Sequence, residues 1–409
     1  MSTTLMSPWT IDPAAFPANG STREKLAFLV GYAVLSPSGH NTQPWRFVLS
    51  EDSVDVVADM SRALKMVDPY DRELTISCAA AAETLLAAAT AFGLTAELTP
   101  LPQQDAPSVI ARVVLSAAPA TGAIDHSMLN AIATRRTVRR SYAETAVPTH
   151  MQALIKDAAR PFGVTLHLTD NEEIKDAIAE LVVDADHVQF ADSAFREELA
   201  TWMHPLSSDS GDGLSGPGLG FPDAFTRMAA ALFRTFNVAG VVATLDKPAA
   251  MSAPLLGVFT THGDTRAEWI ATGRALAAVL HILTRNGLVN AFLNQADRGG
   301  RDAPGAGQAR GARSDAAALE PLRLSQGRCG AAAARGAAPA HRGADCSVAA
   351  TRAKSSQIEY FTPAHHPTRL GLWPSHPSRG GMERVSAQQT PRPPPRGEVG
   401  ALCAPGGGL

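Results

Sequence analysis

Ser36, Ser38, Asn41 and Gln43 lie close together in the run Ser36-Pro37-Ser38-Gly39-His40-Asn41-Thr42-Gln43-Pro44-Trp45-Arg46-Phe47. Small hydroxyls and neutral amides supply hydrogen-bond donors and acceptors without bulk or charge. Together with free backbone N–H groups they suit the polar edge of a flat heterocycle. A second run, Arg135-Arg136-Thr137-Val138-Arg139-Arg140-Ser141-Tyr142, gathers four arginines and three hydroxyl residues into eight positions. The guanidinium is a planar fork that pairs with phosphate oxygens. An arbitrary arginine cluster is more often a solvated basic helix end, so the flanking elements decide its meaning.

Those elements are legible on both sides. Leu26 to Leu35 is apolar over a helical length, and Ser21-Thr22-Arg23-Glu24 ahead of it has capping-box spacing. Phe47-Val48-Leu49 reads as a short buried strand. The first run is therefore a loop between a helix and a strand. After the arginines come Ala146-Val147-Pro148 and an amphipathic stretch from Met151 to Ala159. Two further apolar helices are expected, one from Leu74 towards Gly93-Leu94 and one from Trp269 towards Gly287-Leu288. Aligned at Gly93 and Gly287, their small and apolar positions coincide. In both, Gly follows the last apolar turn, as a helix stop should. An internal repeat is the expectation.

The first run resembles the Pro-Ser-x-x-Asn-x-Gln-Pro-Trp loop of the nitroreductase family of FMN flavoproteins. The second resembles that family's Arg-Arg-Ser-x-Arg-x-Phe/Tyr motif, which is followed by Val-Pro and an amphipathic helix. The resemblance implies that Ser36, Pro37, Ser38, Asn41 and Gln43 meet the flavin ring and ribityl chain. It implies that Arg135, Arg136, Thr137 and Arg139 hold the FMN phosphate. A single-repeat member carries the Arg motif first and the loop second; here the order is reversed. The resemblance is therefore to the Acg-type, fused two-repeat branch. The first half lacks an Arg motif, because residues 1–20 are Pro-rich and nearly uncharged. The second half lacks the loop, because Ala159-Arg160-Pro161-Phe162-Gly163 passes straight into Val164-Thr165-Leu166-His167-Leu168. One complementary pair remains, hence one site across the half–half interface.

The implied fold is α+β, with two nitroreductase-like halves, residues 1–123 and 124–295, forming a pseudo-dimer around one flavin site. The implied activity is transfer of two electrons from NAD(P)H, through FMN, to a small-molecule acceptor such as a nitro compound or quinone. No catalytic side chain is assigned, since the protein's part is to bind and orient the cofactor. The alternatives are an FMN-sequestering stress protein without turnover and a nonfunctional frameshifted product.

Composition narrows the field. Lys and Arg total 36 against 39 Asp and Glu, for a net charge of −3, which gives no electrostatic case for nucleic acid. The helix from Leu74 is apolar enough to raise the question of a membrane span, but Glu83, its hydroxyls and its alanines favour a packed core helix. No basic segment followed by an apolar run marks a signal peptide, so a cytoplasmic protein, monomeric or weakly dimeric, is expected. Cys78 reads as a buried thiol, Trp45 as core and His40 as a neutral loop residue. No metal-ligand spacing and no Ser-His-Asp arrangement stands out. Residues 101–107 and 117–123 are linker-like, flanking a buried strand at 108–115. Residues 207–222, rich in Gly and Ser, read as a disordered surface loop, with a lid over the flavin as the alternative.

From Ala296 the texture changes. Between Arg301 and Ala350 the only large apolar residues are Leu319, Leu322, Leu324 and Val348. Residues 296–409 are expected to be a low-complexity, disordered tail. They also read as the product of a shifted frame. Dropping one nucleotide after Gln295 permits Pro-Ile-Glu-Val, with which the family continues. Cys329, Cys346 and Cys403 lie in this tail and form no metal or disulfide framework.

Overall fold

Two 20-residue helices, α2 (Arg72–Ala91) and α10 (Arg266–Arg285), pack against each other at the centre of the computed structural model. The structure describes residues 11–103, 105–116, 122–139, 141–142, 145–208 and 210–295, with strands at 355–360 and 362–363. Small side chains let the two helices approach closely. A methyl group on Gly273 would run into the Ile76 carbonyl oxygen and come within 2.8 Å of Ala79 Cβ, so only glycine fits there. Both helices stop at a left-handed glycine, Gly93 at φ 72° and Gly287 at φ 73°. Each also sends one isoleucine into the other's core. Ile76 of α2 packs with Leu276, Val279 and Phe259, while Ile270 of α10 packs with the cluster around Leu26, Trp45 and Leu85. In the register that superposes Gly93 on Gly287, these two isoleucines coincide.

Around α2 the chain builds one sheet. Helix α1 (Thr22–Ala33) starts at the expected capping box, with Ser21 and Glu24 capping each other. Strand β1 (Trp45–Leu49) then forms an antiparallel hairpin with β2 (Ser53–Ala58). After α2 come β3 (Ala96–Pro100) and β4 (Val109–Leu115), giving the sheet order β1-β2-β4-β3. The alternation of buried Trp45 and Phe47 with exposed Arg46 and Val48 turns one face of β1 onto the core. Trp45 and Cys78 are both fully buried, as expected, and the Cys78 thiol, its pKa raised by burial, donates to the Pro44 carbonyl at 3.2 Å. Helix α2 meets the length and hydropathy of a membrane span, yet most of it is buried inside the protein.

A similar series surrounds α10. Helix α3 (His126–Thr134) leads through the arginine run to α4 (Thr149–Ala159) and β5 (Thr165–Thr169). Strand β5 pairs antiparallel with β6 (Leu256–Thr261), and α10 and the short β7 (Leu288–Val289) follow. The hairpin β1–β2 turns in three residues, whereas β5 and β6 are joined by a long helical excursion. It contains α5 (Glu172–Ala191), α6 (Ser193–Thr201), α7 (Gly216–Leu219), α8 (Thr226–Thr235) and α9 (Ala239–Met251). None of these helices is among the elements expected from the sequence.

The expectation for residues 296–409 meets a difference at two points. Strand β8 (Ser355–Tyr360) pairs antiparallel along the open edge of β6, and β9 (Thr362–Pro363) pairs with β7. An unpaired strand edge is a template for any extended segment. The rest of the tail lies outside the described residues.

Candidate functional site

The loop between α1 and β1 is held in an uncommon backbone conformation. His40, Asn41 and Gln43 have φ of 48°, 53° and 50°, three non-glycine residues in the left-handed region within four positions. Such a cluster persists only where surrounding contacts fix it, and it marks functional loops. Part of the fixing is internal: the Gln43 backbone N–H donates to Ser38 Oγ at 2.9 Å, and Asn41 N–H donates to the Ser38 carbonyl at 2.9 Å. Ser38 thus stabilises the turn itself.

Ser36 faces the central helices. It is buried, and its hydroxyl donates to Thr84 Oγ1 of α2 at 2.8 Å. Thr84 in turn donates to the Ala80 carbonyl at 2.8 Å, with His281 Nε2 of α10 lying 3.4 Å away. With the Thr84 proton already directed at Ala80, Nε2–H of His281 is the donor in that contact. Burial, aided by the nearby Arg135 charge, pushes the His281 pKa down to about 3, so this imidazole is neutral.

Arg135 brings the arginine run to the same place. It caps the end of α3, is buried, and donates to the Leu35 carbonyl at 3.3 Å, next to Ser36. Thr137 makes an isolated parallel bridge with Asn290, and Val138 N–H donates to the Asn290 carbonyl at 2.8 Å. Two segments a hundred residues apart therefore meet over α2 and α10. Arg136 and Arg139 are exposed, and Arg139 donates to the Gly218 carbonyl at 3.1 Å. Arg140 lies outside the described residues. Thr84 and His281 were not singled out in the sequence, because each is one of several polar residues in its helix and only folding brings the two together.

The segment read as a disordered surface loop is instead docked onto this site. Asn41 Nδ2 donates to the Gly213 carbonyl at 3.1 Å, Gly213 N–H donates to the Asn41 carbonyl at 3.1 Å, and Gln43 Nε2 donates to the Gly211 carbonyl at 2.9 Å. Gly218 takes the Arg139 contact, so the one segment touches both motifs. Its anchor is Asp212. One carboxylate oxygen accepts from two nitrogens of buried Arg62 at 2.7 and 2.8 Å, and Arg62 also donates to the Thr42 carbonyl at 3.0 Å. The other oxygen lies 3.0 Å from His204 Nδ1, while His204 Nε2 lies 3.0 Å from the Thr201 carbonyl. Both ring nitrogens face acceptors, which favours the imidazolium. The Asp212 hydrogen bond raises the His204 pKa against the opposing effect of burial. Burial alone would raise the Asp212 pKa, but His204 and Arg62 hold it below the usual carboxylate value.

The donor set fits the polar edge of a flavin in kind. In the docked arrangement, however, the Asn41, Gln43 and Arg139 donors are taken by loop carbonyls. A cavity beside Gly39, Thr42 and Pro44 has a volume of only about 10 Å³. Among the described residues no group of three metal-ligating side chains forms a metal site.

No protein-family model matches the chain. Among curated proteins, "Putative NAD(P)H nitroreductase Rv3131" of Mycobacterium tuberculosis (strain H37Rv) is 28% identical over 282 residues, which is 68% of this chain and 78% of that protein. "Putative NAD(P)H nitroreductase acg" of the same strain is 25% identical over 279 residues, 66% of this chain and 80% of that one. "Uncharacterized protein Rv3127" is 27% identical over 266 residues, 64% of this chain and 75% of its own length. Likeness to proteins named as NAD(P)H nitroreductases, over about two thirds of the chain, supports the nitroreductase family and an oxidoreductase activity of that general type.

Proposed function

We propose that this chain is an FMN-dependent oxidoreductase that moves two electrons from NAD(P)H to a small acceptor such as a nitro compound or quinone. The observation that carries the reading is the convergence of the strained Ser36–Gln43 loop and the Arg135 segment over α2 and α10. Ser36, Pro37, Ser38, Asn41 and Gln43 would bind the ring and ribityl chain, and Arg135, Arg136, Thr137 and Arg139 the phosphate. A bound FMN would supply the two-electron chemistry. The chain's own contribution is to bind and orient it, with neutral His281 and Thr84 fixing Ser36 from below. The site would lie between two halves of a pseudo-dimer. The matching ends of α2 and α10 and the exchange of Ile76 and Ile270 between cores support that repeat.

A second reading, an FMN-sequestering protein without turnover, is favoured by one observation. The Gly211–Gly218 segment occupies the amides of Asn41 and Gln43 and bridges to Arg139. Anaerobic addition of NADH or NADPH to the FMN-loaded protein separates the two. Bleaching of the flavin absorbance is the oxidoreductase outcome; a stable yellow spectrum is the sequestering one. The shifted-frame reading of residues 296–409 stands beside both, supported by the abrupt change of composition after Gln295. Resequencing the gene tests it, and a clean read of the given frame removes it.

A further inference from the structure

Beside the N-terminal half of α10 lies a cavity of about 470 Å³, lined in part by Glu83, Pro161, Phe162, Ala267, Ile270, Ala271 and Arg274. Its size falls within the roughly 300–1,000 Å³ of small-molecule sites. None of its lining residues belongs to the Ser36–Gln43 loop or the arginine run. Its place in the fold is informative. In the register that superposes Gly93 on Gly287, Glu73 falls on Ala267 and Ser77 on Ala271. Glu73 and Ser77 line the small cavity beside the Ser36–Gln43 loop, and Ala267 and Ala271 line the large one. The large cavity is the counterpart of the candidate site on the other half, and among the described residues no loop fills it.

Its polar wall is a built pair. Arg274 Nε donates to Glu83 Oε2 at 2.7 Å, joining α10 to α2, with the side chains 23% and 12% exposed. The Arg274 guanidinium carbon also lies 5.0 Å from the Phe162 ring centroid. Among the described residues, Glu83 Oε1 and the terminal nitrogens of Arg274 have no further partner. The cavity therefore shows a ligand one acceptor and a set of donors side by side, next to an aromatic ring and apolar walls. The pair is neutral overall. A carboxylate entering there would add a second anion beside Glu83 in a half-dry site. A carboxamide would instead present its C=O to Arg274 and its N–H to Glu83.

We propose that this cavity is a binding site for a neutral, planar aromatic carboxamide, with the amide edge on the Arg274–Glu83 pair and the ring against Phe162, Ile270 and Pro161. The test is calorimetric titration of the full chain with benzamide and with benzoate, repeated on Ala267→Phe and in saturating FMN. Ala267 is exposed, so the added ring fills the cavity without entering the core. The expected result is saturable benzamide binding, benzoate weaker by about tenfold, and Ala267→Phe weaker for benzamide by about tenfold with an unchanged unfolding midpoint. FMN leaves the benzamide affinity unchanged. Absence of saturable benzamide binding, equal affinity for benzoate, full binding by Ala267→Phe, or displacement by FMN would each overturn the assignment.

Discussion

His204 shows how a single side chain holds the Gly211–Gly218 segment in place through Asp212. Its raised pKa has a definite sign. The imidazolium contact with Asp212 is complete below the ordinary histidine pKa of about 6.5 and is lost as pH rises through the higher folded value. Asp212, with its lowered pKa, contributes above the ordinary carboxylate value and loses its charge only as pH falls through the depressed one. The Gly211–Gly218 segment should therefore be held most firmly between these limits and loosen towards alkaline pH. Hydrogen exchange of residues 210–220, followed from about pH 6 to about pH 9 and corrected for the intrinsic rate, should show falling protection. In His204→Ala that pH dependence should flatten. A wild-type profile with the same protection at both ends would contradict the role of His204 in holding the Asp212 anchor. At this scale the sequence was informative where residue types follow one another locally: Ser36, Asn41 and Gln43 stand out by type and order. His281 and Asp212 did not, because their roles depend on partners brought together only by folding.

At the scale of elements, the α2–α10 crossing is the part most sensitive to size. Gly273→Leu should force the helices apart, because even a methyl group meets the Ile76 carbonyl and Ala79. The expected loss is about 1–3 kcal/mol or more of unfolding free energy in urea, the usual cost of overpacking. Gly240 of α9 meets nothing within 4 Å, so Gly240→Ala should be neutral or stabilising by up to about 1 kcal/mol. Equal unfolding free energies for the two variants would mean the crossing is not tight. Helix existence was legible because Ser21–Glu24 and the Gly-Leu stops at Gly93 and Gly287 are local signals. Helices α5 to α9 were not read, since the motif comparison had no element to set against them between β5 and β6. The 207–222 segment was misjudged because glycine-rich composition signals local freedom, whereas its order comes from distant partners, Asn41, Gln43, Arg62 and Arg139.

For the whole molecule, the account requires both halves. Leu35 and Arg135 meet across the two series of elements, and Ile76 and Ile270 exchange cores. A fragment of residues 124–295 should therefore fail to bind FMN even when it retains helical circular dichroism. Binding equal to that of the full chain would place the site within one half. The proposal of two halves comes from the reversed order of the two motifs in the sequence. The pairing of Ser355–Tyr360 with β6 was not, because a lone extended segment in a low-complexity tail carries no periodic signal that names its partner strand.

The central claim is that the Ser36–Gln43 loop and the arginine run form one flavin site. The most direct measurement is a fluorescence titration of FMN against the full chain, Arg135→Ala and Arg23→Ala. Among the described residues Arg23 donates to the Leu49 carbonyl at the far end of β1, and it serves as the control. A charge-assisted hydrogen bond contributes about 1.5–3 kcal/mol. The account predicts one FMN per chain, an affinity reduced about tenfold or more in Arg135→Ala, and no change in Arg23→Ala. Failure of the full chain to bind FMN, or equal affinity for both variants, would contradict it.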